Sequence, residues 1–280
     1  MTASAQALEA LLALMTRLRD RERGCPWDRA QSFATIAPYT IEEAYEVADA
    51  VESGDPERIR DELGDLLFQV VFHARMAEER GWFDFAQVAT GIHDKLVRRH
   101  PHVFREREHA HEGAAGALAQ QWEEHKQQER QAAAQRRGHE SGALEGVARA
   151  LPALTRAVKF GRRAGRLGFD WPHAEAVRAK LIEELQELDA ALKARPPEAA
   201  GAAPDAAVAE ELGDLLFALA NWSRHLHVDP ENALRAANAK FERRFAHMER
   251  TARERGLTLQ QLSAQEWDLL WREAKRACSA

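Results

Sequence analysis

The sequence predicts an all-α protein built from two similar helical-bundle domains. Three observations lead there. Acidic and apolar residues recur at helical spacing along most of the 280 residues. No run of alternating β-branched residues marks a sheet. An acidic pattern, E-E-x-x-E followed by E-L-G-D-L-L-F, occurs twice. The first copy is Ile41-Glu42-Glu43-Ala44-Tyr45-Glu46 with Glu62 to Phe68. The second is Ile182-Glu183-Glu184-Leu185-Gln186-Glu187 with Glu211 to Phe217.

The elements follow in chain order. Residues 5–20 carry Leu8, Leu11, Leu12, Met15 and Leu18 on one helical face. Glu9 and the lack of a basic leader make this an amphipathic helix, not a signal peptide. Residues 24–28, Gly-Cys-Pro-Trp-Asp, read as a loop. Residues 39–52 and 57–80 form a helical hairpin. Its turn is Ser53-Gly54-Asp55-Pro56, with Asp55 as N-cap and Pro56 at the first helical position. Gly81 closes it. A helix from Phe85 to Arg99 stops at Pro101. Residues 105–116 read as a loop and 117–136 as a charged helix. The stretch 138–145 is the linker between domains 1–137 and 146–280.

The second half repeats the plan. Residues 147–164 are helical, and 165–172 form a loop containing Phe169-Asp170-Trp171. Residues 174–194 and 205–227 make the second acidic hairpin. Asp229-Pro230 starts a helix to about Arg255, which Gly256 ends. A last helix covers 265–277. Two further groups recur in the same order: Lys95-x-x-Arg98-Arg99 with Lys240-x-x-Arg243-Arg244, and Trp122-x-x-x-Lys126 with Trp271-x-x-x-Lys275. Four groups in one order in both halves mean an internal duplication.

Composition narrows the function. A hydrophobic content of 45% supports a real core, and a net charge of −6 argues against a nucleic-acid polymer as partner. No apolar run is long enough to span a membrane. Cys25 and Cys278 fit no disulfide framework or metal spacing and point to the reducing cytoplasm.

The acids suggest a cation. Residues three or four apart share a helix face, so Glu43 pairs with Glu46 and Glu62 with Asp65. In an antiparallel hairpin the two pairs lie level. Two unit charges 4 Å apart repel by about 4 kcal/mol at an effective dielectric near 20. A hard cation relieves this, Mg²⁺ first and then Mn²⁺ or Ca²⁺. Mg²⁺ on few carboxylates commonly also binds phosphate oxygens. The two basic runs supply phosphate-facing cations, and aromatic side chains suit a base ring. Together these describe a nucleotide polyphosphate site.

The duplicated hairpins, the stretch Gly24 to Asp28 and the tract Arg98-Arg99-His100-Pro101-His102-Val103-Phe104 resemble MazG-type nucleoside triphosphate pyrophosphohydrolases over nearly the whole chain. The resemblance implies an all-α, Mg²⁺-dependent, oligomeric enzyme of nucleotide housecleaning. Such an enzyme cleaves nucleoside triphosphates to monophosphate and pyrophosphate. It implies metal ligands at Glu43, Glu46, Glu62 and Asp65, and at Glu184, Glu187, Glu211 and Asp214. Glu42 and Glu183 become candidates for orienting or deprotonating water. Lys95, Arg98, Arg99, Lys240, Arg243 and Arg244 should face phosphates. Trp122 with Lys126, and Trp271 with Lys275, should close the nucleotide end. A homodimer through helical faces is the expected assembly.

Other readings compete. Narrower pyrophosphatases, acting on dUTP or phosphoribosyl-ATP, share the helical plan, and a nucleotide-sensing scaffold would keep vestigial sites. Glu43 also fits a capping box with Thr40. Trp27 and Trp171 read as packing residues. Gly64 and Gly213, inside helices, suggest close helix packing. A di-iron bundle needs Glu-x-x-His on its helices, which occurs only as Glu106/His109 and Glu108/His111, in the predicted loop.

Overall fold

The computed structural model describes residues 2–104, 125, 128–129, 131–132, 134–136, 138, 142–194 and 205–278. Every regular element among them is helical. The chain divides into two compact units, Met1–Lys126 and Gln127–Ala280.

Unit one contains α1 (Ala3–Leu18), α2 (Pro26–Ala30), α3 (Phe33–Ser53), α4 (Pro56–Glu78), α5 (Phe85–Arg99) and α6 (Pro101–Phe104). Helices α3 and α4 form the first hairpin. Gly54 ends α3 at φ 68°, a left-handed position that glycine adopts without strain. Asp55 then caps α4, accepting from the Glu57 amide at 3.0 Å, with Pro56 at the first position. Met15, Ile36, Val71, Phe72 and Met76 make the core. Its α4 members all lie past Gln69. The acid-bearing half of α4 therefore projects beyond the core, with Leu63 and Leu67 exposed.

Two expectations are corrected here. Residues 24–28 are not all loop: Pro26 starts the short helix α2. Helix α3 begins at Phe33, ahead of the expected 39. Ser32 and Thr35 form its capping box, and Pro38 is absorbed inside the helix. Thr40 is consequently mid-helix and caps nothing. Its hydroxyl donates to the Ile36 carbonyl and meets His73 Nε2 at 3.0 Å. The helix expected from Phe85 to Arg99 has those bounds, and a separate short helix follows it. His100 terminates α5 and Pro101 opens α6, as proline favours a first helical position.

Unit two contains α7 (Ala153–Gly165), α8 (Ala174–Ala194), α9 (Ala206–His225), α10 (Pro230–Glu254), a 3₁₀ turn (Leu259–Gln261) and α11 (Ala264–Ala277). Helix α7 starts later than the expected 147 because Pro152 disfavours helical backbone at Leu151. Asp205 and Asp229 cap α9 and α10 through their carboxylates. One core cluster gathers Met248, Ala252, Leu270 and Ala274, with Trp267 and Trp271 against it. Another gathers Ala157, Val158 and Ala220.

The expected loop at 105–116 lies outside the described residues, as do Trp122 and Lys126. Only scattered positions of 117–136 are described. Trp27 is half exposed and packs edge-on against Tyr39 at 6.3 Å, so only one face is a packing face. Gly64 and Gly213 do not mark close packing among the described residues. A Cβ added at either meets nothing within 4 Å, because both face outward.

Candidate active site

Each hairpin gathers three carboxylates. On the first, Glu43 from α3 meets Glu62 and Asp65 from α4. On the second, Glu184 and Glu187 from α8 meet Glu211 from α9. Within each cluster, one oxygen per residue lies within 4.8 Å of the other two. The equal reach of both arms from the turn brings the acids level, and i,i+3 spacing keeps them on one face. Six of the eight expected ligands are thus brought together. Glu46 is exposed beside Glu43 and shares a hydrogen bond with it. Asp214 is exposed on α9, outside the second cluster.

The clusters differ in what holds the central glutamate. Burial, then Asp65, then Glu46 push the Glu43 carboxyl above its ordinary pKa. The Gln69 amide donates to it at 3.4 Å from the facing helix. Gln69 is only 6% exposed, and its own Oε1 is buried with no hydrogen-bond partner among the described residues. In the second cluster a lysine does this work. Lys180 Nζ lies 2.8 Å from Glu184, 2.9 Å from Glu183 and 4.0 Å from Glu187. Its hydrogen bonds to Glu184 and Glu183 raise its pKa. Glu187 is pushed up chiefly by desolvation, with Glu184, Glu183 and Glu211 adding to it against the pull of Lys180.

Sequence reasoning missed both Lys180 and Gln69. Lys180 precedes Glu184 by four residues, the ordinary spacing of a helical ion pair. Gln69 lies one turn beyond Asp65. The positions matching them in the other repeat are Tyr39 and Ala218, so neither belongs to the repeated pattern that drew the eye.

Both clusters suit a divalent cation. Mg²⁺ holds oxygens at about 2.1 Å, so opposite ligands stand about 4 Å apart, close to the spread found here. All donors are oxygens, the preference of a hard cation. The orphaned, buried Gln69 Oε1 beside the first cluster is a further oxygen donor.

The basic runs fall where their helices put them. Arg98 and Arg99 occupy the last turn of α5, with Lys95 one turn earlier, whereas Lys240, Arg243 and Arg244 lie mid-way along α10. The Arg244 guanidinium sits 5.7 Å from the Trp271 ring centre. Phe241 tilts against Trp271 at 5.7 Å, and Phe245 stacks on Trp267 at 6.4 Å. These four rings line a cavity of about 340 Å³ between α10 and α11. Arg244 and Trp271 are thus brought together, and the i,i+4 pairs Phe241/Phe245 and Trp267/Trp271 were the overlooked signal. Lys275 follows one turn beyond Trp271. Glu42 and Glu183 are exposed, with Glu183 held by Lys180.

An all-α chain with a carboxylate cluster on each of two repeated hairpins belongs to a class of helical proteins with a pair of clusters that could each hold a metal ion. Residues 31–104 and 173–249 each match the family model described as the MazG nucleotide pyrophosphohydrolase domain. The chain belongs to the MazG nucleotide pyrophosphohydrolase family of enzymes. It is 47% identical over 270 residues to the nucleoside triphosphate pyrophosphohydrolase of Escherichia coli K12, covering 96% of this chain and 97% of that one. A Thermotoga maritima protein named nucleoside triphosphate pyrophosphohydrolase/pyrophosphatase MazG is 41% identical over 267 residues, covering 95% of each. Among solved structures, a mazG-related protein from Thermotoga maritima is 28% identical. It aligns with 42% of this chain and 98% of its own, at a TM-score of 0.35.

Proposed function

We propose that the chain hydrolyses nucleoside triphosphates to monophosphate and pyrophosphate in a Mg²⁺-dependent reaction, with the breadth expected of nucleotide housecleaning. The observation that carries this reading is the pair of carboxylate clusters on repeated hairpins in a chain of this family. Mn²⁺ should substitute for Mg²⁺. The two domains are 1–137 and 146–280, each with one site.

The residues divide the work. Glu43, Glu46, Glu62 and Asp65 would hold the metal in the first repeat, and Glu184, Glu187, Glu211 and Asp214 in the second. A bound divalent ion supplies charge neutralisation for the phosphates and lowers the pKa of water. Glu42 and Glu183 orient the attacking water or take its proton. Lys95, Arg98 and Arg99, and Lys240, Arg243 and Arg244, neutralise phosphate oxygens. Trp271, with Arg244 over its ring, closes the base end, and Lys275 lies beside it. Trp122 and Lys126 have the matching role in repeat one.

Repeat two carries most of the turnover. Arg98 and Arg99 sit at the negative end of a helix dipole, where a phosphate is disfavoured. Lys240 to Arg244 are fixed by regular helix on both sides. The chain works as a homodimer in the cytoplasm. Supporting association, matching apolar residues are exposed on both hairpins: Ile41 with Ile182, Leu63 with Leu212, and Leu67 with Leu216. Light scattering giving a monomer at micromolar concentration would remove the dimer and leave the enzyme.

The test is one assay. Each nucleoside triphosphate is incubated with Mg²⁺, and pyrophosphate is scored against orthophosphate, with and without EDTA. Pyrophosphate released only with metal supports the reading. Orthophosphate alone makes the chain a phosphatase, and full activity in EDTA removes the metal site.

A further inference from the structure

The two clusters each gather three carboxylates, with Glu187 in the second where the first has Asp65, and they differ in electrostatic state. In the first, no ion pair joins Glu43, Glu62 or Asp65 to a basic side chain among the described residues. The group that fixes Glu43 is the neutral, buried amide of Gln69. In the second, a cation is already present. The Lys180 ammonium lies within 4.0 Å of Glu183, Glu184 and Glu187 together, and Glu184, its nearest partner, has a side chain only 8% exposed. The position matching Lys180 in repeat one is Tyr39, four residues before Glu43 as Lys180 is four before Glu184.

We propose that Lys180 is a tethered counter-ion that reserves the second cluster. Free divalent metal binds the first cluster alone. The second admits metal only together with a polyphosphate that draws the ammonium away. This rests on the reading of the clusters as metal–polyphosphate sites. The chemistry of the two holders supports it. An ammonium on a four-carbon stem is a compact charge that swings freely. The Lys180 side chain is 33% exposed and so has room to leave toward solvent. Phosphate oxygens offer it charge-assisted hydrogen bonds in exchange for the ones it gives up. Gln69 has no charge to compete with a metal and no exposed path along which to withdraw. Its unpartnered Oε1 adds an acceptor beside the first cluster. The repeats therefore load in different orders: the first with metal alone, the second with metal and triphosphate together.

Equilibrium dialysis of the metal-free full chain against Mn²⁺ tests this without any turnover. The wild type should bind one Mn²⁺ per chain tightly without nucleotide, and Glu43→Gln should remove it. Lys180→Met should bring a second tight Mn²⁺, as should Lys180→Gln, which retains a polar head. Tyr39→Lys should weaken the first site by about tenfold or more, one added charge being worth at least that at contact distance. Adding α,β-methylene-ATP, which resists cleavage at that bridge, should raise the wild type to two. Two equal Mn²⁺ sites in the wild type without nucleotide would overturn the proposal. So would a count still at one in both Lys180 variants. No Mn²⁺ in any variant, with or without the analogue, would instead remove the metal reading itself.

Discussion

Arg224 and Asp170 face each other through two hydrogen bonds in unit two. Arg224 Nη1 donates to Asp170 Oδ2 at 2.8 Å and Nη2 to Oδ1 at 2.5 Å. His225 Nε2 lies 3.0 Å from the same carboxylate. The Arg224 bonds, with the help of His225, hold the Asp170 pKa down from 3.8 to about 2. A depressed carboxylate binds fewer protons folded than unfolded. Its stabilisation is present above about pH 3.8 and is lost as pH falls toward 2. Asp170→Asn should cost roughly 2 kcal/mol near neutrality. The gap between mutant and wild type should close below pH 3. Urea unfolding across that range checks both; a pH-independent gap would contradict the ion pair.

Gly161 and Asn221 are packed with no space for a methyl group. A Cβ at Gly161 would lie 2.0 Å from Asn221 Oδ1 and 3.1 Å from Arg224 Nε. Asn221 is fully buried. Gly161→Ala should destabilise the chain by about 1–3 kcal/mol through overpacking. Gly213→Ala is the control. Its Cβ meets nothing, and the better helix former should stabilise by up to about 1 kcal/mol. Denaturation midpoints moving in the same direction would defeat the packing argument.

Arg19 ties three elements of unit one. It pairs with Glu79 at 2.8 Å, donates to the Asp28 carbonyl and lies 5.4 Å from the Phe72 ring. Burial raises the Glu79 pKa, but Arg19 and Arg75 outweigh it and leave it lowered. Arg19→Ala should cost about 1–2 kcal/mol, since Glu79 keeps Arg75 at 3.1 Å while the Asp28 carbonyl loses its donor. Thermal unfolding measures it, and a loss below about 1 kcal/mol would class the pair with ordinary surface bridges.

Glu187→Gln should abolish pyrophosphate release, whereas Glu46→Gln should leave most of it. Steady-state rates of the two variants decide. Equal losses mean that both repeats turn over or are coupled, and a loss from Glu46→Gln alone reverses the assignment.

Most of the fold was legible because its helix ends carry strong local chemistry. Asp55-Pro56, Asp229-Pro230, Gly54 and Gly256 all sit at helix boundaries where their side chains or backbone freedom require. The start of α3 was misplaced because Pro38 reads as a breaker. Ser32 and Thr35 cap the helix strongly enough to carry it through. Helix α2 was missed because Cys25 makes no side-chain cap, leaving only Pro26 as a signal. At the site, the carboxylates were legible from spacing within the repeats. Lys180 and Gln69 were not, since a search for what recurs passes over what differs. The rings of Phe241, Phe245 and Trp267 were hidden for another reason. Their cavity forms only when α10 meets α11, a contact that no single-helix pattern encodes.

Helix α3 is held at both ends, its last turns by the buried Ala50 and the Gly54–Asp55 turn into α4. Phe33 and Ile36 fasten its first turns into the core. Pro38 has no amide to give the Ala34 carbonyl, so one rung of the helix ladder is absent just past those turns. Glu43 and Glu46 stand on the span beyond it. The ladder past that gap is regular, so the spacing of the two acids is the fixed one of an α-helix, set independently of the core that anchors the first turns.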